Sequence, residues 1–191
     1  MFAGQVWWIT GASSGIGEGL AVELARRGAS LILSGRNISE LERVAAACGD
    51  ALVLPFEATD YAAIPGLTER AWSWKGRVDA LVNNAGISQR SLAVETDFSV
   101  YERMIAVDLL APIALTQANL PRMVAAGSGR IVAISSVAGL VGSPMRSAYS
   151  AAKFGLVGYH DSVRAENEHL GVQVHVVAPG SVKTNVSRNA L

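Results

Sequence analysis

Apolar positions along this chain alternate between two regimes. Short, dense runs occur at "QVWWIT" (5–10), "SLILS" (30–34), "ALVLP" (51–55), "DALVNN" (79–84), "GRIVAISS" (129–136) and "VQVHVVAP" (172–179). Each is short enough for a strand and apolar enough to be covered on both faces. Between them, residues 16–27, 38–48, 60–75, 98–126 and 148–169 space their apolar side chains three to four apart, the signature of helices lying on a sheet. Strands buried on both faces and joined by helical crossovers form parallel sheets, because a parallel pair needs a long connection. The pattern therefore predicts one doubly wound α/β domain over residues 1–191, with a mostly parallel sheet and helices on both faces. The long 98–126 segment contains Pro112, which lacks an amide donor and crowds the preceding turn, so a bend is expected near 108–112.

Composition narrows the picture. The chain has 191 residues, half of them hydrophobic, with 16 Lys plus Arg against 16 Asp plus Glu. A zero net charge suggests neither a nucleic-acid surface nor a polybasic membrane patch, and favours a small uncharged ligand. One cysteine, Cys48, makes no internal disulfide, and His160, His169 and His175 lack metal-ligand spacing, so no metal is expected. No apolar run approaches the roughly 20 residues of a membrane span, and "MFAGQVWWIT" has no basic leader region. The expectation is a soluble, unprocessed, cytoplasmic protein.

The chemistry begins at "TGASSGIGEGL", which follows the first strand and opens the first helix, where a doubly wound fold binds a nucleotide pyrophosphate. Gly11 allows a sharp turn, Gly15 close approach of a phosphate and Gly17 tight contact between helix and strand, while Ser13 and Ser14 supply hydroxyls. The spacing is neither the common G-x-G-x-x-G nor a P-loop with its lysine, and a plain loop of turn-forming residues is the alternative. At the end of the second strand an acid would bind a free ribose hydroxyl, whereas a base accepts a 2′-phosphate. Gly35 and Arg36 stand there, so NADP(H) is expected over NAD(H), unless Arg36 is only a solvated surface side chain.

In "SAYSAAKFGL" (147–156), Tyr149 and Lys153 are four apart and share one helix face, with only Ser150, Ala151 and Ala152 between them. A nearby ammonium stabilises a phenolate, and the small residues leave room beside the pair. The spacing alone also fits a surface pair or a core tyrosine.

Five motifs in order, the glycine turn (10–17), "NNAG" (83–86), "ISS" (134–136), "YSAAK" (149–153) and "PGSVKT" (179–184), make the chain resemble the short-chain dehydrogenase/reductase family from end to end. The resemblance implies a Rossmann-like sheet and reversible hydride transfer between a nicotinamide and a carbonyl or alcohol. It further implies Tyr149 as general acid/base, Lys153 as the lysine that also binds the nicotinamide ribose, and Ser136 as the hydrogen-bond donor to the substrate oxygen. By the same resemblance Ile16 joins the glycine-turn residues in holding the cofactor, and Asn84, Ala85 and Gly86 line it. Pro179, Gly180, Val182 and Thr184 meet its nicotinamide end, and Glu57 and Ala58 sit where the family usually has Asp-Val beside the adenine. A homodimer or homotetramer through helices 98–126 and 148–169 is also implied, although Leu109, Leu115, Leu156 and Val163 could all be core instead. Trp7, Trp8, Trp72 and Trp74 are expected in packing roles, and His160 at a surface or interface.

Two departures stand out. Asp108 occupies the place of an asparagine that in the family helps organise a water relay to the lysine. A carboxylate accepts the same hydrogen bonds but brings charge and no amide donors, which favours the protonated lysine. The second is the ending at Leu191, before the substrate-covering helical segment and seventh strand that the family commonly has, leaving six strands here. The expected activity is an NADP-dependent oxidoreductase. A cofactor-binding sensor with little turnover is the alternative, and an epimerase or dehydratase would need a second domain the chain has no room for.

Overall fold

The computed structural model describes residues 2–182 and 190–191. Strands β1 (Val6–Thr10), β2 (Ser30–Ser34), β3 (Ala51–Val53), β4 (Ala80–Asn83), β5 (Gly129–Ile134) and β6 (Val172–Val177) form one sheet in the order β3-β2-β1-β4-β5-β6. Every pairing is parallel, with Val6 opposite Ser30, Trp7 opposite Ala80 and Gly129 opposite Val172. The crossovers are α1 (Gly15–Arg26), α2 (Ile38–Cys48), α3 (Ile64–Lys75), a helical run over 98–125, and α6 (Ser147–Asn167). The fold is the doubly wound, Rossmann-like α/β sheet that the apolar pattern and the resemblance predict.

Alternate strand residues face opposite sides, so each strand feeds two cores. Val6, Trp8, Ile32, Leu81 and Ile131 pack with Leu67, Leu115, Met123 and Val163 on one side. Trp7, Ile9, Leu31, Leu33 and Val82 pack with Ala21, Leu24, Leu41 and Val44 on the other. Trp8 is fully buried, and its indole N–H is satisfied by Ser34 Oγ at 2.8 Å. Strand order reverses between β1 and β4, and the crevice at the carboxyl ends of these strands is where such sheets place ligands.

The 98–126 segment breaks into α4 (Phe98–Ile105), a π-helical turn (Ala106–Leu110) and α5 (Ala111–Ala125). Pro112 stands in the first turn of α5 directly after the π-helical turn, the local widening that accommodates a missing amide and a crowding ring. Asp108 lies at the centre of that turn and is completely buried.

Helix α6 buries a stripe of Ala152, Leu156, His160, Val163 and Asn167. His160 is therefore a core residue, which corrects the surface or interface placement expected from sequence. Its Nδ1 lies 2.8 Å from Leu156 O, and its Nε2 lies 3.5 Å from Asn83 Nδ2 on β4. Leu115, Leu156 and Val163 are buried within the chain, whereas Phe98 and Phe154 are exposed on α4 and α6.

Candidate active site

The glycine turn is shaped by what it touches. Gly11 has φ +66°, and a Cβ there would lie 2.8 Å from Ala85 Cα, so both backbone hand and space demand glycine. A Cβ on Gly17 would lie 2.3 Å from Gly11 O, which keeps the first turn of α1 flat against the loop. The N-cap Ser14 makes no side-chain cap bond, so its hydroxyl and the first amides of α1 remain available to an anion.

Thr10, at the end of β1, ties this turn to β4. Its Oγ1 accepts from the amides of Asn84 and Ala85 at 3.0 and 3.1 Å and donates to Val82 O. Asn84 returns the contact through Nδ2, which donates to Thr10 O at 2.9 Å and Gly11 O at 3.1 Å. The Asn84 side chain is thus committed to holding the two loops together. Thr10 opens the glycine-turn motif (10–17), but the role of its side chain depends on a partner 74 residues away.

A cavity of about 1240 Å³ runs along the carboxyl edge of the sheet. At one end lie Gly11, Ser13, Ser14, Gly15 and Ile16, with Arg36, Glu57 and Ala58 beside them. Asn84, Ala85, Gly86 and Asp108 line the middle, and Ser136, Tyr149, Lys153, Pro179, Gly180 and Val182 the other end. Gly17 is buried beneath the turn, outside the lining, and Thr184 lies outside the described residues. Arg36 is largely exposed, 3.8 Å from Glu57, which also lies 3.9 Å from Arg103.

The lysine end is the most constrained part. Lys153, only 5% exposed, donates from Nζ to Ile134 O at 3.1 Å, and Asp108 Oδ2 lies 3.1 Å from the same Nζ. The second contact is close enough for an ion pair but lacks hydrogen-bond direction, leaving Oδ2 without a donor. Asp108 Oδ1 accepts from Ile87 N at 2.8 Å. Burial pushes the Asp108 carboxyl above the usual carboxylate range, against the opposing pull of the Lys153 ammonium and the Ile87 amide. Ser136 is extended, and its Oγ accepts from Ala138 N at 3.2 Å, capping the short turn after β5. Accepting that bond leaves its hydroxyl hydrogen free to donate elsewhere. Next to it, Ser135 Oγ donates to Lys153 O at 3.3 Å and ties β5 to α6.

Two further residues hold the start of α6. Gln89, fully buried, accepts from Ala148 N at 3.1 Å and donates to Ser91 and Thr96. Arg146 donates to Ser88 Oγ at 2.7 Å and lies over the Tyr149 ring. Sequence reasoning passed over both; the Arg146–Tyr149–Lys153 spacing of three and four was the signal available.

Known proteins are similar to this chain in sequence and in fold. A short chain dehydrogenase family model matches residues 5–191. Dehydrogenase/reductase SDR family member 7 from Homo sapiens is 40% identical over 98% of this chain, and a Drosophila melanogaster family protein 7-like relative is 41% identical over 98%. The chain spans 58% and 60% of the length of these two relatives. The crystal structure of levodione reductase superposes with a TM-score of 0.95 at 29% identity, covering 99% of this chain and 76% of that one. A short-chain dehydrogenase from Streptomyces avermitilis gives 0.91 at 34% identity, covering 98% and 69%. With the matched model running almost from end to end over this sheet and this cavity, the chain belongs to the short chain dehydrogenase family.

Proposed function

We propose that the protein is an NADP(H)-dependent oxidoreductase that interconverts a small carbonyl compound and its alcohol. The observation that carries this reading is that Ser136, Tyr149 and Lys153 line one cavity continuous with the glycine turn. The residues present suit a dinucleotide: a loop that excludes a Cβ at Gly11, unengaged amides at the start of α1, and a cleft long enough for an extended ligand. Bound there, the nicotinamide supplies or accepts the hydride. Tyr149 gives its proton to the carbonyl oxygen as charge develops on it, and the free hydrogen of Ser136 donates to the same oxygen. Lys153, anchored by Ile134 O, presents its remaining protons to the ribose side and holds positive charge near the phenol. In the oxidative direction Tyr149 takes the proton back.

Arg36 supports NADP(H) because it is free to swing over a 2′-phosphate, with Glu57 as its resting counter-charge. Exposed Phe98 and Phe154 support self-association through α4 and α6. Oxidation of NADPH and NADH over a carbonyl panel, run beside Tyr149→Phe, is the test. A fall of about 10²–10⁴ in turnover with cofactor binding retained is expected; undiminished turnover overturns the mechanism. Asp108 favours a second reading, a cofactor-binding sensor, since its charge partly cancels that of Lys153. Cofactor binding with no oxidation across the whole panel would favour it.

A further inference from the structure

The Tyr149 ring has two cations beside it, at the same range. Lys153 Nζ and Arg146 Cζ each lie 5.6 Å from the ring centroid. The two differ in their counter-charges. Lys153 has the buried Asp108 carboxylate 3.1 Å away, whereas Arg146 makes no ion pair with any described residue. Arg146 is also held in place: it is half-buried, and its guanidinium donates to Ser88 Oγ, itself 1% exposed. A neutral hydroxyl fixes the guanidinium without neutralising it. Arg146 stands at the N-cap of α6, Tyr149 and Lys153 follow within the helix, and all three line the cavity.

We infer that Arg146 is a positioning residue for Tyr149, supplying the positive field on the phenol that Asp108 removes from Lys153. A carboxylate beside Lys153 weakens the net charge that the phenol feels from that side. The Arg146 guanidinium, with no acidic partner among the described residues, adds positive charge back beside the ring. The inference rests on Tyr149 as the proton-transfer group. It explains how an aspartate is tolerated next to the lysine at a site built for proton transfer.

Other charges around Tyr149 are accounted for. Tyr101 and Arg103 come from α4; the Tyr101 hydroxyl bonds Ser147 Oγ, and Arg103 lies 3.9 Å from Glu57, which follows β3. Arg36, after β2, lies 3.8 Å from the same Glu57. Of the described cavity-lining residues from β5, β6 and their following loops, Arg146 alone carries an ionisable side chain. Leu191 runs along the same wall, its amide donating to Ser88 O at 2.8 Å.

The test is a pH titration of the Tyr149 phenolate by ultraviolet absorbance, taken as the difference between each protein and its Tyr149→Phe counterpart, beside the pH profile of alcohol oxidation. Arg146→Gln should move the phenolate midpoint up by about one pH unit, a tenfold loss of phenolate at fixed pH. Arg146→Lys, which keeps the charge, should restore most of it. Asp108→Asn should move the midpoint down, and the double variant Arg146→Gln, Asp108→Asn should return near the parent value. A midpoint unchanged in Arg146→Gln, or shifted equally in Arg146→Lys and Arg146→Gln, overturns the inference. Because the absorbance titration needs no turnover, it separates failure of this inference from failure of the oxidoreductase reading.

Discussion

Asp108 and His160 are both fully buried, and burial acts on each against its charged form. For Asp108 the neighbouring ammonium and the Ile87 amide oppose that push; for His160 the Leu156 carbonyl and the adjacent Asp161 do. The His160 imidazole is therefore held below its ordinary value in the folded protein. In the unfolded chain it binds a proton near about pH 6.5, so between the two values the unfolded state carries more protons. Stability is then present above that window and is lost as pH falls through about 6.5 and below, with a limiting slope of about 1.4 kcal/mol per pH unit. Thermal melts between about pH 5 and 7 should show this slope flattened in His160→Gln; an unchanged slope would remove His160 as its source. The burial was legible in principle, since 153, 156, 160, 163 and 167 repeat at helical spacing. It was missed because a lone histidine gives no sign of whether its two nitrogens find partners, and here they face Leu156 O and Asn83.

At the scale of elements, the active face depends on how α6 begins. Its first turn has amides with no partner inside the helix, and Arg146 at the N-cap makes no side-chain cap bond. Gln89 takes over this task from the loop after β4, 59 residues away, through the Ala148 amide. Gln89→Leu, nearly the same size, strands that buried amide together with the Ser91 and Thr96 groups that Gln89 joins. The expected cost is about 1–3 kcal/mol, read as a lowered denaturant midpoint, and the proposed turnover should fall with it because Tyr149 stands one residue beyond Ala148. A stability equal to that of the parent would show that water replaces the glutamine. Helices and strands themselves were readable from apolar spacing, because burial on a sheet imposes periods of two and 3.6. What ties their ends together was not, because Thr10 and Ser135, although inside quoted motifs, and Gln89 act through partners remote in sequence.

At the scale of the whole molecule, the strand reversal between β1 and β4 gathers the carboxyl ends of all the central strands along one cavity. A dinucleotide bound there would bridge the glycine turn and α6 and so stabilise the folded state by mass action, about 2.7 kcal/mol at a hundredfold excess over Kd. On the 2′-phosphate role proposed for Arg36, NADPH should raise the melting temperature more than NADH at equal concentration, and Arg36→Ala should bring the two shifts together. Equal shifts in the parent protein would remove the 2′-phosphate role from Arg36 and return it to the Glu57 ion pair alone.

The sequence by itself determined the order of strands and helices, the doubly wound class, the place of the glycine turn and the presence of Ser136, Tyr149 and Lys153. Each of these is written in local spacing, which burial and backbone geometry translate directly. Only the tertiary structure decided that Asp108 sits inside a π turn against Lys153, that Asn84 is spent on joining two loops, and that Arg146 reaches Tyr149 without a counter-charge among the described residues. Those facts depend on which distant groups share a buried space, and the strength of a charge there is set by its partner and its loss of water, neither of which a linear pattern records.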